Sequence, residues 1–160
     1  VGSLTQSGGA NISFFGSGNL DIKGNYNYTG GTFTAGTGTV TYSGTGAQVV
    51  APVTYNHLTI NKASGIANII SAATIGGNIN ITAGEFDVDD IMTVSGDVTA
   101  SSGAVLDGGD STINVAGNWA NSGTFEAGVG TVNFNGTGTQ TISTSTFNNL
   151  TINKSAGTAI

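Results

Sequence analysis

The chain has 160 residues and a mass of 15.8 kDa, enough for one domain with a continuous core, and its net charge of −6 sets nine acidic residues against three lysines and no arginine. That balance argues against nucleic acid as a partner, since phosphate contacts need clustered Lys and Arg, and no apolar run is long enough for membrane insertion. The chain has no cysteine, so disulfides, Cys-based zinc sites and thiol catalysis are excluded in any compartment.

Read from its first residue, the chain matches itself. Residues 1–10, VGSLTQSGGA, return at 95–104 as SGDVTASSGA, and residues 20–26, LDIKGNY, return at 113–119 as INVAGNW. The longest match is residues 38–62, GTVTYSGTGAQVVAPVTYNHLTINK, with 130–154, GTVNFNGTGTQTISTSTFNNLTINK. There Val40, Tyr42, Gly44, Gly46, Gln48, Tyr55, Leu58, Ile60 and Lys62 meet Val132, Phe134, Gly136, Gly138, Gln140, Phe147, Leu150, Ile152 and Lys154. A repeat of this kind calls for an architectural reading before any element is assigned. We read residues 1–160 as one domain holding about 1.7 copies of a unit of about 93 residues, in which 1–67 match 95–159 and 68–94 occur once. The rest of the first copy is expected before Val1.

A shorter beat runs inside the unit. Leu20-Asp21-Ile22, Val40-Thr41-Tyr42, Leu58-Thr59-Ile60, Ala73-Thr74-Ile75, Met92-Thr93-Val94, Ile113-Asn114-Val115, Val132-Asn133-Phe134 and Leu150-Thr151-Ile152 share an apolar-polar-apolar pattern. Most steps between them are 18 to 21 residues, with a single step of 15 between Leu58 and Ala73. Such alternation predicts half-buried strands, and the Gly, Asn and Ser clusters between them predict turns. No segment keeps a helical period, and Gly with β-branched residues disfavours helix throughout. The expected fold is all-β: a right-handed parallel β-helix of about eight to nine coils, each of roughly 19 residues. With strands about 4.8 Å apart this makes a rod about 40 Å long.

In that fold the apolar pair of each triplet, Leu150 and Ile152 included, points inward. The middle residues, Asp21, Thr41, Thr59, Thr74, Thr93, Asn114, Asn133 and Thr151, form an outer ladder that hydrogen-bonds without charge. Gly24-Asn25, Gly77-Asn78, Gly96-Asp97 and Gly117-Asn118 are placed at corners, where both residue types tolerate positive φ.

The run GNWANSGTFEAGVGTVNFNGTGTQTI followed by FNNLTINKSAGT resembles the tandem repeats of very large bacterial cell-surface and secreted adhesin-like β-solenoids. The resemblance covers nearly the whole chain and implies a stalk or fibre, at the cell surface or outside the cell, rather than an activity. Residues 65–90, including GEFDVDD, have no second copy in this chain.

Candidate sites are few. Asp87, Asp89 and Asp90, with Glu85, are the densest acidic cluster and offer hard oxygen ligands for Ca²⁺, but their spacing lacks the EF-hand and GGxGxD patterns, so a solvated turn is preferred. Asp107 and Asp110 can be imagined as an acid–base pair; no arginine accompanies them, and the matching region of the first copy has no carboxylate. His57, the only histidine, corresponds to Asn149, which points to a turn position rather than a general base. The recurring aromatics read as packing before sugar platforms. Gly44-Thr45-Gly46 has no following Lys-Ser/Thr and no helix, so it is not a phosphate loop. Asn11, Asn27, Asn80, Asn135, Asn149 and Asn153 each begin an N-x-S/T sequon, a coincidence expected in a chain this rich in Asn and Thr.

No catalytic residue and no cofactor is therefore assigned. The leading expectation is a structural, non-enzymatic fibre or stalk whose partners are copies of itself or flanking repeats, head to tail, because neither end carries a cap of the kind solenoids need. A module binding surface glycans is the alternative, and a β-helix polysaccharide lyase or hydrolase is disfavoured by the missing arginine.

Overall fold

The computed structural model describes all 160 residues, and they form an all-β solenoid of about eight turns, spaced about 19 residues apart, with no helix. The first coils contain β1 (Leu4–Gln6), β2 (Asn11–Ser13), β3 (Asn19–Ile22), β4 (Tyr26–Tyr28), β5 (Thr32–Thr34) and β6 (Thr39–Tyr42). Next come β7 (Gln48–Val49), β8 (Thr54–Tyr55), β9 (His57–Ile69), β10 (Ala73–Ile75), β11 (Ile79–Val88), β12 (Met92–Val94) and β13 (Val98–Ala100). The chain continues through β14 (Val105–Asp107), β15 (Thr112–Val115), β16 (Trp119–Asn121), β17 (Thr124–Glu126), β18 (Thr131–Phe134) and β19 (Asn149–Ile152).

Every pairing is parallel and joins one turn to the next, and each turn has three faces. The first face is β3, β6, the first parts of β9 and β11, β13 and β16. On the second face β7, the later parts of β9 and β11, β14 and β17 stack in order, with β1 and β4 paired below them. The third face runs β8, β10, β12, β15, β18, β19, with β2 and β5 paired below. Long β9 and β11 bend from the first face to the second, and the register between them shifts at Ala83. Gly84 makes that corner. Its φ is 77°, and a Cβ there would lie 2.7 Å from the Lys62 carbonyl oxygen.

Alternation puts the apolar columns inside. Ile22, Val40, Leu58, Ile60, Ile75, Met92, Val94, Ile113, Val115, Val132 and Phe134 are all buried in one cluster. Leu150 and Ile152 depart from the expectation, being 48% and 49% exposed. They pair with Val132 and Phe134 in the inward phase, but β19 has no strand stacked beyond it, so one side of each is open.

The Gly-Asn corners work differently from the expectation too, since no non-glycine residue and none of Gly24, Gly77, Gly96 or Gly117 has positive φ. Their requirement is closeness. A Cβ on Gly96 would sit 2.6 Å from Gly77 O, and one on Gly117 would sit 2.3 Å from Gly96 O. His57 and the residues after Gly77, Gly96 and Gly117 cap the coil above. His57 Nδ1 accepts from Asn78 N (3.0 Å), Asn78 Oδ1 from Asp97 N (2.9 Å), Asp97 Oδ1 from Asn118 N (2.7 Å) and Asn118 Oδ1 from Thr141 N (2.8 Å).

The sequence repeat and the coil are out of step. Counting β9 and β11 twice because each serves two faces, 14 strand positions separate β3 from its sequence counterpart β15, which is four turns and two further strands. Each counterpart therefore lies on a different face: β3 on the first and β15 on the third, β6 on the first and β18 on the third, β4 on the second and β16 on the first.

Candidate functional site

The outward residues expected as one ladder form two. Asp21, Thr41 and Thr59 stack on the first face, where Asn80, Thr99 and Ala120 continue them. Thr74, Thr93, Asn114, Asn133 and Thr151 stack on the third face above Thr54. The step of 15 residues from Leu58 to Ala73 is two strand positions instead of three, and it carries the pattern from one face to the other. On the third face Asn133 Nδ2 donates to Asn114 Oδ1 (2.9 Å), and Asn114 Nδ2 reaches Thr93 Oγ1 at 3.5 Å.

The second face carries an acidic column that sequence reading did not assemble. Asn68, Asp87, Asp107 and Glu126 stand in register on successive turns. Asp87 is pushed up to about 6 by burial first, and then by the negative charges of Asp89, Asp107 and Glu85. Asp89 leans toward the foot of the column, where its Oδ2 accepts from Asn68 Nδ2 (2.8 Å), while Asp90 turns back on its own loop, its Oδ1 accepting from Ile91 N (2.7 Å). Asp87, Asp89 and Asp90 thus do not converge on a point, and no three metal-ligating side chains gather anywhere in the chain. Asp107 Oδ1 accepts from Gly109 N (2.9 Å), while Asp110 is exposed on the turn beyond. The one-turn spacings 87, 107, 126 were a readable signal for the column, once three strands per turn are known.

Two buried corners carry the least expected chemistry. Lys62, only 1% exposed, donates through Nζ to Gly44 O (2.7 Å), Gly46 O (2.8 Å) and Gln48 Oε1 (2.8 Å). Gln48 Oε1 also accepts from Gly44 N (2.8 Å), and its Nε2 donates to Ile22 O (3.0 Å) and Gly24 O. One amide and one ammonium so tie three successive turns. In the second copy Lys154 and Gln140 repeat the arrangement with Gly136 N, Gly136 O, Val115 O and Gly117 O. Burial holds the Lys62 ammonium below its usual range, and the carbonyl dipoles satisfy its three protons. The signal was present in the sequence: Lys62 follows Leu58 and Ile60 in the inward phase, where a charge needs a partner.

The two copies differ in the seam that follows Gln48 and Gln140. Tyr42 and Tyr55 hold the backbone of Ala51 between their hydroxyls: Ala51 N donates to Tyr42 Oη (3.0 Å), and Tyr55 Oη donates to Ala51 O (2.7 Å). With the Tyr55 proton so used, the 3.0 Å contact between the hydroxyls has Tyr42 as donor. Burial raises both phenols, Tyr42 to about 12. Val50 and Ala51 are drawn inside, and β4 has no partner strand above it. In the second copy Phe134 and Phe147 lack the hydroxyls. There Trp119 N donates to Thr141 O (2.9 Å) and Ser143 N to Trp119 O (2.9 Å), closing the seam. The open seam of the first copy leaves a recess of about 400 Å³ bordered by Tyr26, Asn27, Val49, Ile66, Asn68 and Asp87.

His57 is a member of the corner ladder, with Nδ1 engaged by Asn78 N. The aromatics Tyr26, Tyr42, Tyr55, Trp119 and Phe134 are buried, and rings meet edge-on, as in Trp119 with Phe125 at 4.9 Å and with Phe134 at 6.2 Å, so they pack the interior. No protein family, curated protein or solved structure matches this chain.

Proposed function

We propose that this chain is a non-catalytic structural segment of an extracellular or cell-surface fibre or adhesin-like stalk. The observation that carries the reading is the continuous parallel ladder, with an apolar interior and an outer surface of Thr and Asn, in which the scarce ionisable groups serve the scaffold. Lys62 and Lys154 brace corners, and His57 caps a strand. No cation faces Asp107 for stabilising developing charge. The bacterial surface repeats that the sequence resembles are stalks of this kind. Assembly proceeds head to tail, with β19 offering its open edge and the exposed Leu150 and Ile152 to a further turn, from flanking repeats or another copy. Electron microscopy of the concentrated protein tests it. Filaments built of end-stacked rods are expected, whereas rods that stay dispersed and monomeric by analytical ultracentrifugation overturn the assembly.

The in-register third-face ladder supports a second reading, a module that binds glycans or another surface. Saturable binding on a glycan array, lost on Thr93→Ala, would favour it over the stalk.

A further inference from the structure

The recess above β4 interrupts the ladder of the second face. A seam closed by backbone pairing is the arrangement of the second copy, and the first copy gives it up although the surrounding residues match. What holds it open is local and specific: the two tyrosine hydroxyls on Ala51, together with the apolar run Val49-Val50-Ala51-Pro52-Val53 where the second copy has Thr141-Ile142-Ser143-Thr144-Ser145. Pro52 has no N–H to offer a ladder. Gln48 reaches down to Ile22 O and Gly24 O and holds the two turns together beside the gap.

The lining states what the recess suits. Val49 and Ile66, 43% and 36% exposed, give it apolar wall. Asn25 and Asn27 supply amides on its lower lip, and Asp87 supplies a carboxylate on its upper wall. The charged groups that act on Asp87 are Asp89, Asp107 and Glu85, all negative. Of the three lysines, Lys62 and Lys154 are committed to their corners, and Lys23 is exposed and is not among the charges that act on Asp87. The wall therefore presents negative charge that the chain itself does not neutralise, next to apolar surface that water covers poorly. A volume of about 400 Å³ lies within the range of small-molecule sites.

We propose that this recess is a binding site for a small organic cation, an ammonium group on a compact apolar body, with the ammonium at Asp87 and the body against Val49 and Ile66. The tyrosine pair is the positioning device, since it keeps the seam from pairing shut. The site is independent of the stalk reading, because a monomeric rod would hold it equally well.

The test is a titration followed by the backbone amide resonances of Asn27, Val49, Asn68 and Asp87, at pH 7.5, with cyclohexylammonium and with its uncharged counterpart cyclohexanol. Saturable shifts confined to these amides are expected for cyclohexylammonium, with cyclohexanol at least tenfold weaker. Asp87→Asn, a change on the outer surface, is expected to weaken cyclohexylammonium at least tenfold while the circular dichroism spectrum is kept. Tyr42→Phe with Tyr55→Phe is expected to abolish the saturable shifts and to remove the exchange protection of the Ala51 amide. Equal affinity for the two probes, unchanged binding by Asp87→Asn, or shifts spread without saturation to Asp110 and Glu126 would each overturn the proposal. Should the double tyrosine variant not fold, the Asp87→Asn and cyclohexanol results decide alone.

Discussion

Asp87 shows how a residue's environment is set by a distant part of the chain. In sequence its neighbours are Glu85, Asp89 and Asp90, and a calcium turn is the natural comparison. In the fold its stacked neighbours are Asn68 and Asp107, and the group is pushed up to about 6 by burial and like charge. A carboxylate raised above its unfolded value of 3.8 favours the folded state most when protonated. Its stabilising share is complete below about pH 4 and is lost as pH rises through about 6, the reverse of a carboxylate in a salt bridge. Asp87→Asn is accordingly expected to raise the melting temperature at pH 7.5 by about 5 °C, with the advantage vanishing near pH 4. Thermal melts of both proteins across that range measure it, and a constant difference at all pH values would show that Asp87 is not the group responsible.

At the scale of the strand, the inside and outside of each triplet were legible because period-2 alternation fixes both faces of a half-buried strand. Leu58-Thr59-Ile60 is the clearest case, with Leu58 and Ile60 fully buried on either side of Thr59. The last triplet cannot report this, as Leu150 and Ile152 are half exposed at the open edge of β19. The informative contrast is within β9: Ile60→Asp puts an unpaired charge into a dry column, whereas Thr59→Asp changes an outward position. Ile60→Asp is expected to cost about 4 kcal/mol or more and Thr59→Asp about 1 kcal/mol or less. Urea unfolding followed by circular dichroism distinguishes them, and equal losses would contradict the alternation. What was not legible was the face on which a triplet lies. Apolar-polar-apolar reads the same on all three faces, so Ile79-Asn80-Ile81 and Val98-Thr99-Ala100 are indistinguishable by pattern from the third-face triplets, and two ladders read as one. Only the short step to Ala73 marked the change of face. The inward phase marks Lys62 as needing a partner, but the partners themselves are not legible, since most are backbone carbonyl oxygens, which carry no residue type to recognise.

For the whole molecule, the decisive number is the 14 strand positions between repeat counterparts, because 14 is not a multiple of the three strands in a turn. Each unit then advances the rod by about 22 Å and rotates its pattern onto a different face. A surface feature that recurs in every unit, such as the Lys62 and Lys154 corners, winds around the axis and returns to its starting face only after three units. No face of a longer rod built this way would carry one unbroken Thr ladder, which weakens lattice recognition and suits a stalk that is alike on all sides. The absence of cysteine makes the winding directly measurable, since spin labels at introduced cysteines report only the chosen pairs. Thr41 and Ala120 lie on the same face four turns apart, so Thr41→Cys with Ala120→Cys should give a separation of about 19 Å along the axis. Thr41 and Asn133 are sequence counterparts on different faces. For Thr41→Cys with Asn133→Cys the axial rise of about 22 Å combines with a sideways offset of at least about 10 Å, giving about 24 Å or more. Pulsed electron–electron resonance on the two doubly labelled proteins resolves that gap once each is referenced to a same-face pair such as Thr74→Cys with Asn133→Cys. Distances that fit a rise along one face for both pairs would mean that the units stack in phase, and the winding would have to be abandoned.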